Sequence, residues 1–70
     1  MERSDLENRF NFHPAAGTPK EGSHEAVRAL CLGVAYELND NLPEGREKSL
    51  AITHLEEVMM WSNAAIARNQ

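Results

Sequence analysis

Glu44-Gly45-Arg46-Glu47-Lys48-Ser49-Leu50-Ala51-Ile52-Thr53-His54-Leu55-Glu56-Glu57-Val58-Met59-Met60-Trp61-Ser62-Asn63-Ala64-Ala65-Ile66-Ala67 decides the fold. Apart from Gly45 at its edge it holds no helix breaker, so one continuous helix is expected from Glu44 to Ala67. Pro43 suits the first turn of such a helix, and Glu44 and Glu47 suit its positive N-terminal end. Ile52, Leu55, Met59, Ser62 and Ile66 recur at steps of three and four and form one face. Leu50, Trp61 and Ala64 fall on another side with His54 and Glu57, and Val58 and Ala65 fill a third. A helix apolar around most of its circumference is normally covered by several neighbours. One partner helix cannot do that, so the chain is expected to work as an oligomer; the rival is a monomer with a large exposed patch.

Working back along the chain, Asn39-Asp40-Asn41-Leu42-Pro43 reads as a tight turn. Before it, Ser23 reads as the N-cap of a helix to about Asn39, with Val27, Leu30, Cys31, Val34 and Leu38 as its apolar stripe. Two long helices joined by a short turn make an antiparallel hairpin over residues 23–70. At the other end, Ser4 and Glu7 have capping-box spacing for a short helix ending near Arg9. So short a helix has little stability alone and must dock. Between the helices, Pro14, Gly17, Pro19 and Gly22 break regular structure, leaving Phe10 to Gly22 as an arm or loop. The expected architecture is all-α: a single domain over residues 1–70, with a short helix and aromatic arm over 1–22 followed by the hairpin.

The totals narrow the function classes. A chain of 70 residues buries only about 60% of its unfolded surface, so its core is marginal and needs a staple. The single cysteine, Cys31, allows no internal disulfide, and no zinc-ligand spacing is present. Association remains. One thiol and no signal peptide point to an intracellular protein, and no apolar run approaches the ~20 residues needed to span a bilayer. Eleven acidic against seven basic side chains leave a formal charge of −4, which argues against a general DNA or RNA binder. A small anionic ligand stays open, because one or two arginines can bind a phosphate whatever the total charge.

Catalytic constellations are weak. His54-Leu55-Glu56 has the H-x-E of zinc deaminases without their P-C-x-x-C, so a helical histidine is the simpler reading and a His54/Glu56 hydrolase a distant third. Glu56 and Glu57 are adjacent and must diverge on a helix. Cys31, on the apolar stripe, reads as a small hydrophobe rather than a nucleophile. Gly17-Thr18-Pro19-Lys20-Glu21-Gly22 lacks the G-K-[ST] ending of a P-loop, and Pro19 removes a donor from any phosphate nest. No catalytic residue, metal ligand or cofactor is expected.

Phe12 and Arg28 remain. An aromatic in the arm can stack on a base, worth ~1–3 kcal/mol per base, and Arg28 lies in the first turns of a helix, where anions are favoured. Equally, Phe10 and Phe12 can pin the arm to the hairpin, with Arg28 paired to Glu25 or a neighbouring subunit.

Two stretches resemble a known family. Leu6-Glu7-Asn8-Arg9-Phe10-Asn11-Phe12-His13-Pro14 resembles the opening of phage anti-CBASS cyclic-oligonucleotide sponges. Arg46 to Glu57, continued by Met60-Trp61-Ser62-Asn63-Ala64-Ala65-Ile66-Ala67-Arg68, resembles the family's hairpin signature. Together they cover most of the chain, and the second matches at both polar and apolar positions. The resemblance implies a homohexamer that sequesters the cyclic dinucleotide and trinucleotide signals of bacterial CBASS immunity, such as cyclic GMP–AMP, without cleaving them. A related anti-Thoeris family shares the hairpin and sequesters cyclic ADP-ribose isomers.

By the same resemblance, Phe12, His13 and Arg28 form the dinucleotide site at a subunit interface, and Arg68 belongs to a second, trinucleotide pocket around a symmetry axis. The family commonly has tyrosine where Phe12 stands, so stacking is kept and a hydroxyl hydrogen bond is lost. Arginine at position 28 can hold phosphate bidentately. Residues 15–22 have no clear counterpart. The implied partners are cyclic nucleotides and further copies of the chain, with no DNA and no membrane, and the implied location is the cytoplasm of the infected bacterial host. The alternative is a helical-hairpin assembly or adaptor protein with no nucleotide ligand.

Overall fold

The computed structural model describes residues 1–10 and 21–69, with side chains from position 24 onward in the second segment. Three helices and no strand are present among them: α1 (Arg3–Phe10), α2 (Glu21–Asn41) and α3 (Arg46–Arg68). The expected all-helical fold is observed. At 23 residues, α3 is about 34 Å long at ~1.5 Å per residue.

The helix starts differ from the sequence reading. Ser4 lies inside α1, because the Asp5 and Leu6 amides both donate to the Glu2 carbonyl, at 3.0 and 3.2 Å. The first turn therefore closes on Glu2 and the Ser4 capping box is not formed. Helix α2 begins at Glu21, which puts Ser23 in its first turn rather than before it. It also runs on through Asp40 to Asn41, and the Leu42 amide donates to the Leu38 carbonyl at 2.9 Å, so the turn is confined to residues 42–45. Helix α3 starts at Arg46, with Gly45 as its N-cap at φ 155 and ψ −179. That conformation suits glycine, since a Cβ meets severe steric conflict there. Gly45, not Pro43, is thus the residue that sets the helix start.

The core among the described residues consists of Leu6, Phe10, Cys31, Ala35 and Ile52. Val27, Leu32, Tyr36, Leu38, Leu55 and Met59 pack against it. The expected α3 face is observed in Ile52, Leu55 and Met59, and Cys31 is buried as expected. Two members of the α2 stripe are not. Leu30 is 68% exposed and Val34 38%. The cause is α1, which packs on the Tyr36–Asn39 side of α2. Tyr36 Oη donates to Glu7 Oε2 at 2.7 Å, and Asn39 Nδ2 donates to the Met1 carbonyl at 2.9 Å. With α1 on that side, Cys31 and Ala35 face inward and Leu30 and Val34 are left outside.

The closed end of the hairpin is held by a buried lysine. Lys48, only 5% exposed, donates from Nζ to the Asn39 carbonyl at 2.8 Å and to Glu44 Oε1 at 2.6 Å. It supplies a cationic partner to a last-turn carbonyl of α2, the end of a helix that favours positive charge. The Met1 ammonium also approaches Glu44 Oε1, at 3.5 Å.

Against five buried apolar residues, six large apolar side chains remain exposed among the described residues: Leu30, Val34, Leu50, Val58, Met60 and Trp61. A full burial contributes only about 1.5–3 kcal/mol per large side chain, so a core this small leaves the single chain marginal. No helix of the described residues is long and apolar enough to cross a membrane.

Candidate functional site

Because α2 and α3 run antiparallel, the start of α2 and the end of α3 share the open end of the hairpin. His24 on α2 and Asn63 on α3 meet there, with His24 Nδ1 donating to Asn63 Oδ1 at 2.9 Å. A carbonyl oxygen only accepts, so in this arrangement the ring carries its proton on Nδ1.

Arg28 stands one helical turn beyond His24 on α2. Its side chain is 23% exposed, and Nη2 lies 3.9 Å from Glu25 Oε1. The Glu25 pairing anticipated as the alternative for Arg28 is therefore present. At 3.9 Å and with Glu25 58% exposed, such a pair is weak and can yield to a better anion. Arg68 ends α3 at this same end of the hairpin and is exposed. Phe12 and His13 lie outside the described residues.

Helix α1 points its C-terminal end toward this region. Phe10, at its last position, is fully buried, and Arg9 Nε lies 3.9 Å from Glu56 Oε1 on α3. The chain thus enters the segment carrying Phe12 and His13 from a fixed point beside the middle of α3. It returns at the start of α2, beside Asn63.

The carboxylates at 56 and 57 diverge as expected. Glu56 reaches Arg9, whereas Glu57 lies 3.9 Å from His54 Nδ1 on the exposed face. His54 and Glu56 therefore serve different surfaces and do not converge on a common point. Among the described residues no group of three or more His, Cys, Asp and Glu side chains could hold a metal ion. Burial pushes the Cys31 thiol up from its ordinary value, which disfavours the nucleophilic thiolate.

His24 and Asn63 had drawn no individual assignment from sequence. The available signal was Asn63 itself, an amide that with Ser62 interrupts the apolar residues between Trp61 and Ile66. Its partner is distant in the chain, so spacing could not name it.

The model of the Acb2/Tad1 hairpin domain matches residues 1–67. The chain belongs to the Acb2/Tad1 hairpin family. This is the family of anti-CBASS and anti-Thoeris sponges, whose role lies in phage anti-defence. The match takes in α1, all of α2 and nearly all of α3, and the all-helical fold of the described residues fits a hairpin domain. No curated protein and no solved structure matches the chain.

Proposed function

We propose that the protein binds and sequesters bacterial cyclic di- and trinucleotide immune signals, cyclic GMP–AMP among them, without cleaving them. Removing the free signal keeps the CBASS effector inactive in the cytoplasm of the infected host. The observation that carries this reading is membership of the Acb2/Tad1 family over residues 1–67.

In this reading Phe12 stacks on a base, His13 lines the same pocket and Arg28 grips phosphate. Arg68 serves a separate trinucleotide pocket. The exposed apolar residues of α2 and α3 are covered by other copies in a homohexamer, so assembly completes the ligand site as well as stabilising the fold. Tight capture then rests on slow dissociation rather than on turnover.

Titration calorimetry with cyclic GMP–AMP tests the proposal, alongside the oligomeric mass of each protein. Wild type binds; Phe12→Ala and Arg28→Ala bind much more weakly while keeping the wild-type mass. Absence of binding by wild type overturns the reading. Loss of assembly in both variants assigns Phe12 and Arg28 to the fold instead. The exposed apolar surface also fits an adaptor that docks a protein; a defined protein partner, with no thermal shift from any cyclic nucleotide, would favour that role.

A further inference from the structure

His24 and Asn63 form the one hydrogen bond, among the described residues, that joins the side chains of α2 and α3 toward the open end of the hairpin. Both are partly buried, and 39 residues separate them in sequence. Asn63, next to Ser62, is a polar side chain in a stretch that also holds Trp61, Ala64, Ala65 and Ile66. Burying an amide costs more than burying an apolar side chain unless it is hydrogen-bonded, and a leucine would pack there without that cost. The amide also adds something leucine cannot: a directional restraint on the first turns of α2. A hydrogen bond at 2.9 Å is directional, whereas apolar contact tolerates sliding.

Arg28 follows His24 by four residues, so both project from the same side of α2. Rotating the first turns of α2 swings both side chains together. The His24–Asn63 hydrogen bond, a polar contact that resists this rotation, lies a single turn from the guanidinium assigned to phosphate. Bidentate phosphate binding depends on the orientation of that planar group, so a small rotation weakens it.

We propose that Asn63, acting through His24, is a positioning residue for Arg28 in ligand capture. This inference rests on the proposed sponge function and adds to it a residue that touches no ligand. The amide holds His24, His24 holds the start of α2, and that segment presents Arg28.

The test uses the full chain, with cyclic GMP–AMP as ligand. Dissociation rate, unfolding midpoint and oligomeric mass are measured for wild type, Asn63→Leu and Asn63→Asp. Leucine removes the acceptor and keeps the branching and number of heavy atoms of the side chain, whereas aspartate keeps an acceptor oxygen for His24. In Asn63→Leu the ligand dissociates about five- to tenfold faster, the scale of one hydrogen bond, with midpoint and mass as in wild type. In Asn63→Asp the wild-type rate is restored to within about twofold, a change well under one hydrogen bond.

A wild-type rate in Asn63→Leu overturns the inference, as does a lowered midpoint or mass accompanying the faster release, since that marks a merely structural contact. Faster release in both variants overturns it too, because the acceptor is then not what matters. If wild type binds no cyclic nucleotide, the sponge function itself falls and this inference falls with it. Binding by wild type with unchanged release from Asn63→Leu removes this inference alone.

Discussion

The Tyr36 hydroxyl donates to Glu7 Oε2 at 2.7 Å, and the guanidinium of Arg3 lies 4.1 Å from the centroid of the same ring. One aromatic side chain on α2 thus holds two successive turns of α1. This clamp gives an eight-residue helix, too short to persist alone, a fixed place beside the hairpin.

The clamp can be titrated. The Glu7 carboxylate beside it, with a smaller contribution from desolvation, raises the Tyr36 hydroxyl above its ordinary 10.0, while Arg3 pulls it down. The native state therefore holds this proton more tightly than the unfolded chain. The resulting stability is fully present below the unfolded value and is lost as pH rises through the folded one. Tyr36 is the sole tyrosine, so phenolate absorbance reports it alone. Glu7→Gln should lower its pKa and Arg3→Ala should raise it; movement of both in one direction contradicts the clamp.

At the closed end, the hydrogen bond and charge of Lys48, with a smaller contribution from the Met1 ammonium, hold Glu44 below its ordinary 4.5. Here the sign reverses: the contribution is present above the unfolded value and is lost as pH falls through the folded one. Lys48→Met removes the donor to the Asn39 carbonyl. It should cost about 1–2 kcal/mol in denaturant unfolding at neutral pH and flatten the acid limb of the stability profile. An unchanged acid limb would show that this pair does not set it.

Gly45 carries the turn at φ 155, and a Cβ added there meets Glu47 Oε1 at 3.4 Å. The backbone conformation rather than the contact is the obstacle. Gly45→Ala should lower stability by about 1–3 kcal/mol, read from the denaturant midpoint. A neutral substitution would mean that the turn has another accessible conformation.

Much of the fold was legible because α3 is long and unbroken, so its periodicity identified Ile52, Leu55 and Met59 as inward-facing. Leu30 and Val34 show where periodicity stops. It gives the width of an apolar stripe but not where the stripe is centred, and α1 docking at Tyr36 turned α2 so that one edge faces outward. Ala35 was passed over because an alanine adds little to an apolar pattern, yet it is fully buried. At the candidate site, Arg28 and its Glu25 partner could be named from local spacing. His24–Asn63 is a tertiary pair and left no local pattern. Phe12 and His13 rest on family resemblance.

Trp61, the sole tryptophan, is 66% exposed on the single chain. If other copies cover this surface, Trp61 fluorescence should be blue-shifted and poorly quenched by acrylamide in the assembled protein. Trp61→Glu should reduce the oligomeric mass in light scattering while helical circular dichroism persists, because the side chain contributes little to the hairpin's own core. Wild-type mass in Trp61→Glu would place the interface elsewhere.

Sequestration without cleavage is tested most directly by recovering the ligand. Protein is mixed with cyclic GMP–AMP, separated from unbound nucleotide by gel filtration and heat-denatured, and the released nucleotide is identified by chromatography and mass spectrometry. The account predicts that cyclic GMP–AMP co-elutes with the protein and is released with its ring intact. A linear or hydrolysed product, or no nucleotide in the protein fraction, would contradict it.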